Sequence, residues 1–217
     1  MTSVVDTRVV GTLDHIRWVG GGTGAGKTTV TRRLAERFGL PIYSSDATIR
    51  VHAARLSAAT APLLERFCCM SMDERWVLQD PVAMFRTFPW FHGEGFDLLI
   101  EDLRSLPSGS LIIVEGFRLL PHLVHPHLSD LGHAVWLIPT PGFRRAAFAA
   151  RDRGEAFWLR TTDPPRALAN LLERDEMFAD VVAADAQHNG LSTRVVDGAH
   201  PVDVTVDALA ARFGLFQ

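Results

Sequence analysis

Short apolar runs alternate along the chain with longer stretches in which apolar residues recur at helical spacing. The short runs are typical of buried strands, and the longer stretches are typical of amphipathic helices. The predicted strands are residues 15–20, 40–43, 110–115, 133–139 and 193–196, and the main predicted helices are residues 28–38, 141–153, 164–188 and 201–213. This alternation predicts a mainly parallel sheet of about five strands between two layers of helices, which is a three-layer α/β/α fold.

The segment from residue 47 to residue 106 departs from this alternation, because its pattern is helical but irregular and rich in aromatic residues. Ser71 and Glu74 have the spacing of a helix capping box, and Pro81 is expected to begin a further helix. No low-complexity linker divides residues 1–217. We therefore expect a single domain in which residues 47–106 form a helical insert.

The composition narrows the possible partners. Hydrophobic residues make up 47% of the chain and charged residues 22%, which predicts a packed core. A net charge of -3 leaves no basic face for nucleic acid. The first 15 residues lack the pattern of a secretory leader, and no apolar run is long enough to cross a bilayer. We expect a cytoplasmic protein with no nucleic-acid or membrane partner, and two reduced thiols, Cys68 and Cys69, buried on a helix.

A glycine-rich run after the first predicted strand carries the clearest chemical signal. Residues 21–28 match the pattern G-x-x-x-x-G-K-[ST] and lie between a strand and a helix, as that motif requires. Its backbone N–H groups converge on phosphate oxygens, Lys27 reaches the β- and γ-phosphates, and the Thr28 hydroxyl ligates Mg²⁺. Lys27 is the only lysine among 22 basic residues. The predicted cofactors are ATP and Mg²⁺, and the predicted nucleotide-binding residues are Gly22, Thr23, Gly24, Ala25, Gly26, Lys27, Thr28 and Thr29.

With this motif the chain resembles the P-loop kinases of the nucleoside-monophosphate-kinase-like group. That group includes shikimate and gluconate kinases, uridine kinases and chloramphenicol phosphotransferase. The resemblance spans nearly the whole chain, and it implies that the γ-phosphoryl group of ATP is transferred to a small acceptor molecule.

The resemblance also assigns residues to the acceptor side. Asp46 stands where the group carries the acidic residue that faces the acceptor hydroxyl, so it is the predicted base or orienting group. Glu115 resembles the acidic residue that closes the Walker B strand, where it holds Mg²⁺ through water or touches the acceptor, and Arg118 would border the pocket. Arg50 resembles the acceptor-phosphate arginine of nucleoside monophosphate kinases, although it stands one residue farther from the aspartate.

The aromatic segment 85–96 is the remaining candidate for the acceptor pocket, and in it Trp90, His92 and Glu94 are the predicted binding residues. Each assignment has a structural alternative. Asp46 could cap a helix that begins near Ala47, and the aromatic side chains could simply be core.

Five arginines lie where related kinases carry a mobile lid, which here corresponds to residues 141–165. The resemblance implies that Arg144, Arg151 and Arg153 neutralise charge on the transferring phosphate, and that lid closure excludes water. The five arginines are Arg144, Arg145, Arg151, Arg153 and Arg160.

The function predicted first is phosphoryl transfer to a hydroxyl group of a sugar, a metabolite or an antibiotic-like compound. A nucleoside or nucleoside-monophosphate kinase is the alternative, and it would need a second arginine beside Arg50, for which Arg55, Arg86 and Arg118 are candidates. A non-catalytic ATP-binding regulator is an alternative of another class. A GTPase is excluded, since no Asn-Lys-x-Asp motif can exist in a chain whose only lysine is Lys27. The sequence leaves the oligomeric state open.

Overall fold

The computed structural model describes residues 12–151, 154 and 156–216. Within this part of the chain, five strands form one sheet, and each neighbouring pair is parallel. The strands are β1 (Ile16–Gly21), β2 (Ile42–Ser44), β3 (Ile112–Glu115), β4 (Ala134–Pro139) and β5 (Thr193–Val196). Their order across the sheet is β2-β3-β1-β4-β5, which confirms the predicted parallel sheet.

The central strand explains why the sheet is buried on both faces. All six residues of β1 are buried, since β3 lies on one side of it and β4 on the other. Successive side chains of a strand point to opposite faces. Accordingly, Trp18 belongs to the apolar core on one face and Val19 to the core on the other.

Helices cover both faces of the sheet. The helices of the described residues are α1 (Lys27–Phe38), α2 (Ile49–Ala53), α3 (Pro62–Cys69), α4 (Met72–Trp76), α5 (Pro81–Thr87), α6 (Phe96–Ser105), α7 (Pro121–Val124), α8 (Pro141–Ala149), α9 (Pro164–His188) and α10 (Val202–Arg212), with short 3₁₀ helices at Pro89–His92, His125–His127, Leu131–His133 and Phe157–Arg160. Helices α1 and α10 contribute Leu34 and Leu209 to one core. Helices α6 and α9 contribute Leu99 and Phe178 to the other. The three-layer α/β/α fold is therefore confirmed.

The insert is a set of short helices, as its irregular pattern predicts. The Ser71 hydroxyl accepts a hydrogen bond from the Glu74 N–H group at 3.2 Å, and the Glu74 carboxylate accepts one from the Ser71 N–H group at 2.7 Å, so the predicted capping box is confirmed. Helix α5 begins at Pro81, also as predicted. Aromatic residues of the insert, Trp76 among them, share an apolar cluster with α8, α9 and the segment between them.

Some boundaries and exposures differ from the predictions. The helix expected near Ala47 begins at Ile49, and the Asp46 side chain does not cap it. Helix α8 ends at Ala149 rather than at residue 153. Cys68 and Cys69 are free thiols on α3, but both are exposed, so their predicted burial is wrong. None of the helices in the described ranges is both long and apolar enough to cross a membrane.

Candidate active site

The glycine-rich loop leaves β1 and enters α1 at the carboxyl edge of the sheet, where open parallel sheets bind their ligands. Gly24 and Gly26 have φ angles of 79° and 75°, in the left-handed region that favours glycine. Gly26 is the N-cap of α1. The loop therefore brings the unpaired N–H groups at the start of α1 to the edge of the sheet, where they can bind an anion.

Lys27 is the first residue of α1, and only 7% of its surface is exposed. Its ammonium group donates hydrogen bonds to the carbonyl oxygens of Gly21, at 3.2 Å, and Gly22, at 2.9 Å. Burial lowers the pKa of Lys27, while the carboxylates of Asp46 and Glu115 act in the opposite direction. The loop thus encloses one compact cation.

A cavity of about 420 Å³ lies over this loop. Of the eight residues predicted to bind the nucleotide, Gly22 alone does not line it. A Cβ atom on Gly22 would lie 2.8 Å from Cδ of Pro139, so Gly22 packs against β4. The lining residues are Thr23, Gly24, Ala25, Gly26, Lys27, Thr28, Thr29, Asp46, Phe117, Phe143, Ala147 and Arg151. We call this space the phosphate cavity.

Hydroxyl and carboxylate oxygens meet beside the phosphate cavity. The buried Glu115 carboxylate accepts hydrogen bonds from Thr28 Oγ1 at 3.3 Å and from Ser44 Oγ at 2.7 Å. These are the hard oxygen ligands that Mg²⁺ prefers. Among the described residues, no cluster of three or more His, Cys, Asp or Glu side chains could hold a metal ion. The Thr28 and Glu115 pair therefore suits an ion that takes its remaining ligands from phosphate oxygens and water.

Asp46 lies directly after β2 and faces the same space. Its Oδ1 atom accepts hydrogen bonds from the Ser45 hydroxyl at 3.2 Å and from the Phe117 N–H group at 3.3 Å. Burial raises the pKa of Asp46, the Glu115 carboxylate adds to this effect, and the Lys27 ammonium opposes it. The structure thus holds a carboxylate with raised proton affinity at the wall of the phosphate cavity.

Gly116 allows the loops after β2 and β3 to approach each other. A Cβ atom on this residue would lie 1.9 Å from Ser45 Oγ and 2.6 Å from Asp46 Oδ1, and its φ angle is 147°. Only a residue without a side chain leaves this space to Asp46. Gly116 therefore fixes where the carboxylate lies.

We expect Gly116→Ala to lower kcat/KM about 10-fold to 100-fold, since displacing a reacting group by about 1 Å is enough for such a loss. The matched control is Gly109→Ala, because a Cβ atom on Gly109 would meet no atom within 4 Å. Both variants should be compared by circular dichroism and by steady-state kinetics. A Gly116→Ala enzyme with more than half of the wild-type kcat/KM would show that the close approach does not position Asp46.

A second and more apolar cavity, of about 520 Å³, adjoins the phosphate cavity. We call it the acceptor cavity. Of the residues predicted to bind the acceptor, Asp46, Arg50 and Trp90 line it. Four residues line both cavities: Thr23, Asp46, Phe117 and Arg151. Asp46 therefore stands where the two spaces meet.

The structure does not bring His92 and Glu94 into either cavity. His92 is exposed, and its Nε2 atom is 3.1 Å from the carbonyl oxygen of Phe85. The Glu94 carboxylate accepts hydrogen bonds from the N–H groups of Leu63 and Leu64, both at 2.8 Å. Glu94 therefore caps the first turn of α3 from outside that helix, which is a structural use of its charge.

Arg118 is buried and also lies outside both cavities. Its guanidinium group donates hydrogen bonds to the carbonyl oxygens of Ser45 and Gly95, both at 3.1 Å, and lies over the Trp90 ring at 4.7 Å. It also contacts Nδ1 of His52 at 3.1 Å. Because a guanidinium can only donate, Nδ1 of His52 accepts. Arg118 thus holds the loop that carries Asp46 against the insert.

The same network continues into α6. His52 then carries its proton on Nε2, which lies 2.9 Å from Oδ2 of Asp102 and donates to it. The Tyr43 hydroxyl donates to the same oxygen at 2.6 Å. Burial and the bond to Asp102 raise the pKa of Tyr43 to about 12, so its hydroxyl stays a donor. These bonds link β2, α2 and α6.

The lid arginines are not equivalent. Arg151 lines both cavities and Arg160 lines the acceptor cavity. Arg144 is only 2% exposed and lies behind the glycine-rich loop, where its Cγ atom is 3.4 Å from the position of a Cβ atom on Gly24. It lines neither cavity, and Arg145 is exposed on α8. The remaining lid residue, Arg153, lies outside the described residues.

Sequence reasoning missed a charged pair in the floor of the acceptor cavity. Arg174 and Asp175 of α9 are 5% and 1% exposed, and Arg174 Nη2 is 2.6 Å from Asp175 Oδ1. The guanidinium group of Arg174 also lies 4.4 Å from the centre of the Phe88 ring. The sequence did contain a signal for this pair, because both charged residues fall between Leu171 and Phe178 on the apolar face of this helix.

A nucleotide acceptor would need a second arginine beside Arg50. None of the three predicted candidates, Arg55, Arg86 and Arg118, lines the acceptor cavity. Arg55 pairs with Glu101 at 2.5 Å, Arg86 is exposed, and Arg118 is bonded as described above. Three other arginines line it beside Arg50 and Arg151, namely Arg75, Arg160 and Arg174.

Comparison with curated proteins found relatives named as shikimate kinase and 2-phosphoglycerate kinase, whereas no protein-family model matches the chain. The chain is 29% identical over 192 residues to a shikimate kinase of Colwellia psychrerythraea, an alignment that covers 86% of this chain and 94% of that protein. It is 28% identical over 145 residues to a 2-phosphoglycerate kinase of Methanococcus maripaludis, covering 62% of this chain and 46% of that protein. The chain thus spans about half the length of the 2-phosphoglycerate kinases that it matches.

Among solved structures, a deoxyadenosine kinase from M. mycoides with bound dATP aligns with 92% of this chain and 99% of its own length. Its sequence identity is 11% and its TM-score is 0.49.

Proposed function

We propose that this chain, a P-loop kinase, transfers the γ-phosphoryl group of ATP to a hydroxyl group of a small molecule. The observation that carries the proposal is the position of Asp46 in the wall shared by the phosphate cavity and the acceptor cavity. A carboxylate at that junction can contact an acceptor hydroxyl while the hydroxyl oxygen faces a phosphate on the glycine-rich loop. The shikimate kinase and 2-phosphoglycerate kinase relatives support the same reaction class.

In this proposal Asp46 accepts the hydroxyl proton as the acceptor oxygen bonds to the γ-phosphorus atom and the bond to the ADP oxygen breaks. Phosphoryl transfer depends mainly on positioning and charge stabilisation. Lys27 and the N–H groups of the glycine-rich loop hold the phosphates, and Arg151 balances charge at the junction of the cavities. Thr28 and Glu115 would hold Mg²⁺, directly or through water, and the ion would supply further positive charge at the phosphates.

Arg118 and Gly116 have supporting roles, because both fix the loop that carries Asp46. Trp90 contributes a wall of the acceptor cavity and a face for the Arg118 guanidinium group.

The proposal also includes a single domain spanning residues 1–217 and a cytoplasmic location, where ATP is available. It includes no nucleic-acid or membrane partner.

A nucleoside or nucleoside-monophosphate acceptor is the second candidate, since Arg160 and Arg174 line the same cavity as Arg50. Arginine is the residue that best matches the geometry of a phosphate group. A nucleoside monophosphate would place its phosphate among these side chains, and an oxygen of that phosphate would accept the γ-phosphoryl group.

The proposal is tested by measuring ADP release from Mg·ATP in the presence of three separate panels: hydroxy acids and polyols, nucleosides, and nucleoside monophosphates. We expect release that depends on an acceptor from the first panel, with the phosphorylated product identified by mass spectrometry. Release with a nucleoside or a nucleoside monophosphate alone would favour the second candidate. ATP binding without any acceptor-dependent release would contradict both and favour a non-catalytic regulator.

A further inference from the structure

The walls of the acceptor cavity are unusually aromatic. Eight of the residues that line it carry aromatic rings, and they come from the insert, from the loop after β3, from α8 and from the segment that follows α8. Aromatic faces bind flat apolar surfaces through stacking and edge contacts. These residues are Phe67, Trp76, Phe88, Trp90, Phe91, Phe117, Phe148 and Phe157.

Apart from the indole N–H groups of Trp76 and Trp90, neutral hydrogen-bonding side chains are scarce in the same cavity. Among the described residues that line it, Thr23 supplies the one hydroxyl group, and there is no serine, tyrosine, asparagine, glutamine or histidine. A polyol such as a sugar presents many hydroxyl groups, each of which loses water on entering the cavity and needs a partner there. Apart from its charged side chains, the lining therefore offers a sugar few hydrogen-bonding partners.

The charge of the cavity is positive. Its described lining contains five arginines and two aspartates, and one aspartate, Asp175, is already paired with Arg174. Arg75 donates to the backbone carbonyl oxygens of Phe67, at 2.9 Å, and Cys68, at 3.1 Å, so no carboxylate neutralises it in the described structure. An anionic group bound in the cavity would balance the positive charge of these arginines.

Arg50 and Arg160 are the two arginines best placed to meet that anion. Both line the acceptor cavity, and neither lines the phosphate cavity. Both are exposed, and within the described ranges neither side chain forms a hydrogen bond or an ion pair. An acceptor with a negative group could therefore bind them without displacing an existing contact.

We propose that the acceptor is an alcohol with a planar, largely apolar body and one anionic group, such as a carboxylate or a phosphate. The aromatic walls would bind the planar body, Arg50 and Arg160 would bind the anion, and the hydroxyl group would reach Asp46. This inference rests on the proposed kinase function, since it names the class of molecule that the kinase phosphorylates.

The test uses four probe molecules with saturating Mg·ADP, and it measures binding by calorimetry. The matching probe is 6-(hydroxymethyl)-2-naphthoate. The second probe, 2-naphthalenemethanol, lacks the anion, the third, D-gluconate, lacks the planar apolar body, and the fourth, D-glucose, lacks both. We expect the naphthoate to bind at least about 10-fold more tightly than each of the others. Against the two neutral probes, a charge-assisted contact to arginine is worth at least that factor, and against gluconate, burial of the naphthalene rings is worth at least that factor.

The Arg50→Gln and Arg160→Gln double variant should reduce the preference for the naphthoate over the naphthalenemethanol to less than about 3-fold. The matched control is Arg66→Gln, which changes an exposed arginine of α3 that lies outside both cavities and should keep the full preference. Equal binding of the acid and the neutral alcohol, tighter binding of gluconate, or no detectable binding of the naphthoate would each overturn the proposal.

Turnover separates this inference from the proposed function. If the naphthoate binds with the expected preference but no acceptor releases ADP from Mg·ATP, the class of molecule that the cavity binds stands and the kinase function fails. If other acceptors release ADP while the naphthoate does not bind, the kinase function stands and the acceptor class fails.

Discussion

Exchange of Asp46 for asparagine is expected to lower kcat about 10²-fold to 10⁴-fold, the range typical for removal of a general base. The asparagine oxygen can still accept the hydrogen bond from the Phe117 N–H group, so the loop after β2 should keep its position. ATP binding should change little, because the N–H groups of the glycine-rich loop and Lys27 are untouched. The expected pattern is a large loss in kcat with a nearly constant dissociation constant for Mg·ATP.

The pH profile of the wild-type enzyme gives an independent sign of the same role. Because burial raises the pKa of Asp46, its carboxylate binds a proton at a pH above the ordinary aspartate value of 3.8. The base must be deprotonated to act, so activity should fall as the pH drops through this raised pKa. The acid limb of kcat/KM should therefore lie above pH 3.8, and it should be absent from the residual activity of Asp46→Asn.

Stability should change in the direction opposite to activity. A raised pKa in the folded state means that the folded protein binds this proton more tightly than the unfolded protein does, so stability is lost as the pH rises through the folded pKa. At neutral pH the charged Asp46 is therefore unfavourable for folding, and Asp46→Asn should melt at a higher temperature than the wild type. The control is Asp180→Asn, which changes an exposed aspartate of α9. Unchanged kcat in Asp46→Asn would remove Asp46 from the mechanism.

The fold was predictable because its strands are buried on both faces and its helices have strong boundaries. A continuous apolar run such as the one in β3 is typical of a central parallel strand, and the motif at Lys27 requires a strand before it and a helix after it. Helix α9 begins at Pro164 and ends at His188, both as predicted, because a proline at its first position and a long apolar stripe define it. Periodicity and local signals were sufficient for these elements.

The acceptor side was less predictable, because its residues come together only through tertiary packing. His92 and Glu94 stand beside Trp90 in the sequence, yet only Trp90 faces the cavity, and the carboxylate of Glu94 caps a helix that begins 32 residues earlier in the chain. Arg174 is far from all three in sequence and nevertheless lines the same cavity. Neighbouring positions in an irregular insert therefore do not share a function, since short helices turn adjacent side chains to different sides.

Exchange of Lys27 for arginine is the sharpest test of why this chain, which otherwise uses arginine for every basic residue, has one lysine. The ammonium group lies within 3.2 Å of two carbonyl oxygens in a nearly closed space. A guanidinium group is larger and planar, so it cannot occupy the same position, although it keeps the charge. We expect Lys27→Arg to lower kcat about 10²-fold to 10³-fold, the loss typical for removing one preorganised donor to the reacting group.

The comparison variants separate the effect of size from that of charge. Lys27→Met removes the charge and should lose at least as much activity as Lys27→Arg, whereas Arg32→Lys, at an exposed position of the same helix, should leave kcat unchanged. Mg·ATP binding and kcat should be measured for all three, with circular dichroism to show that each is folded. A Lys27→Arg enzyme that keeps more than a third of the wild-type kcat would mean that charge alone is sufficient, and the compact ammonium would then need another explanation.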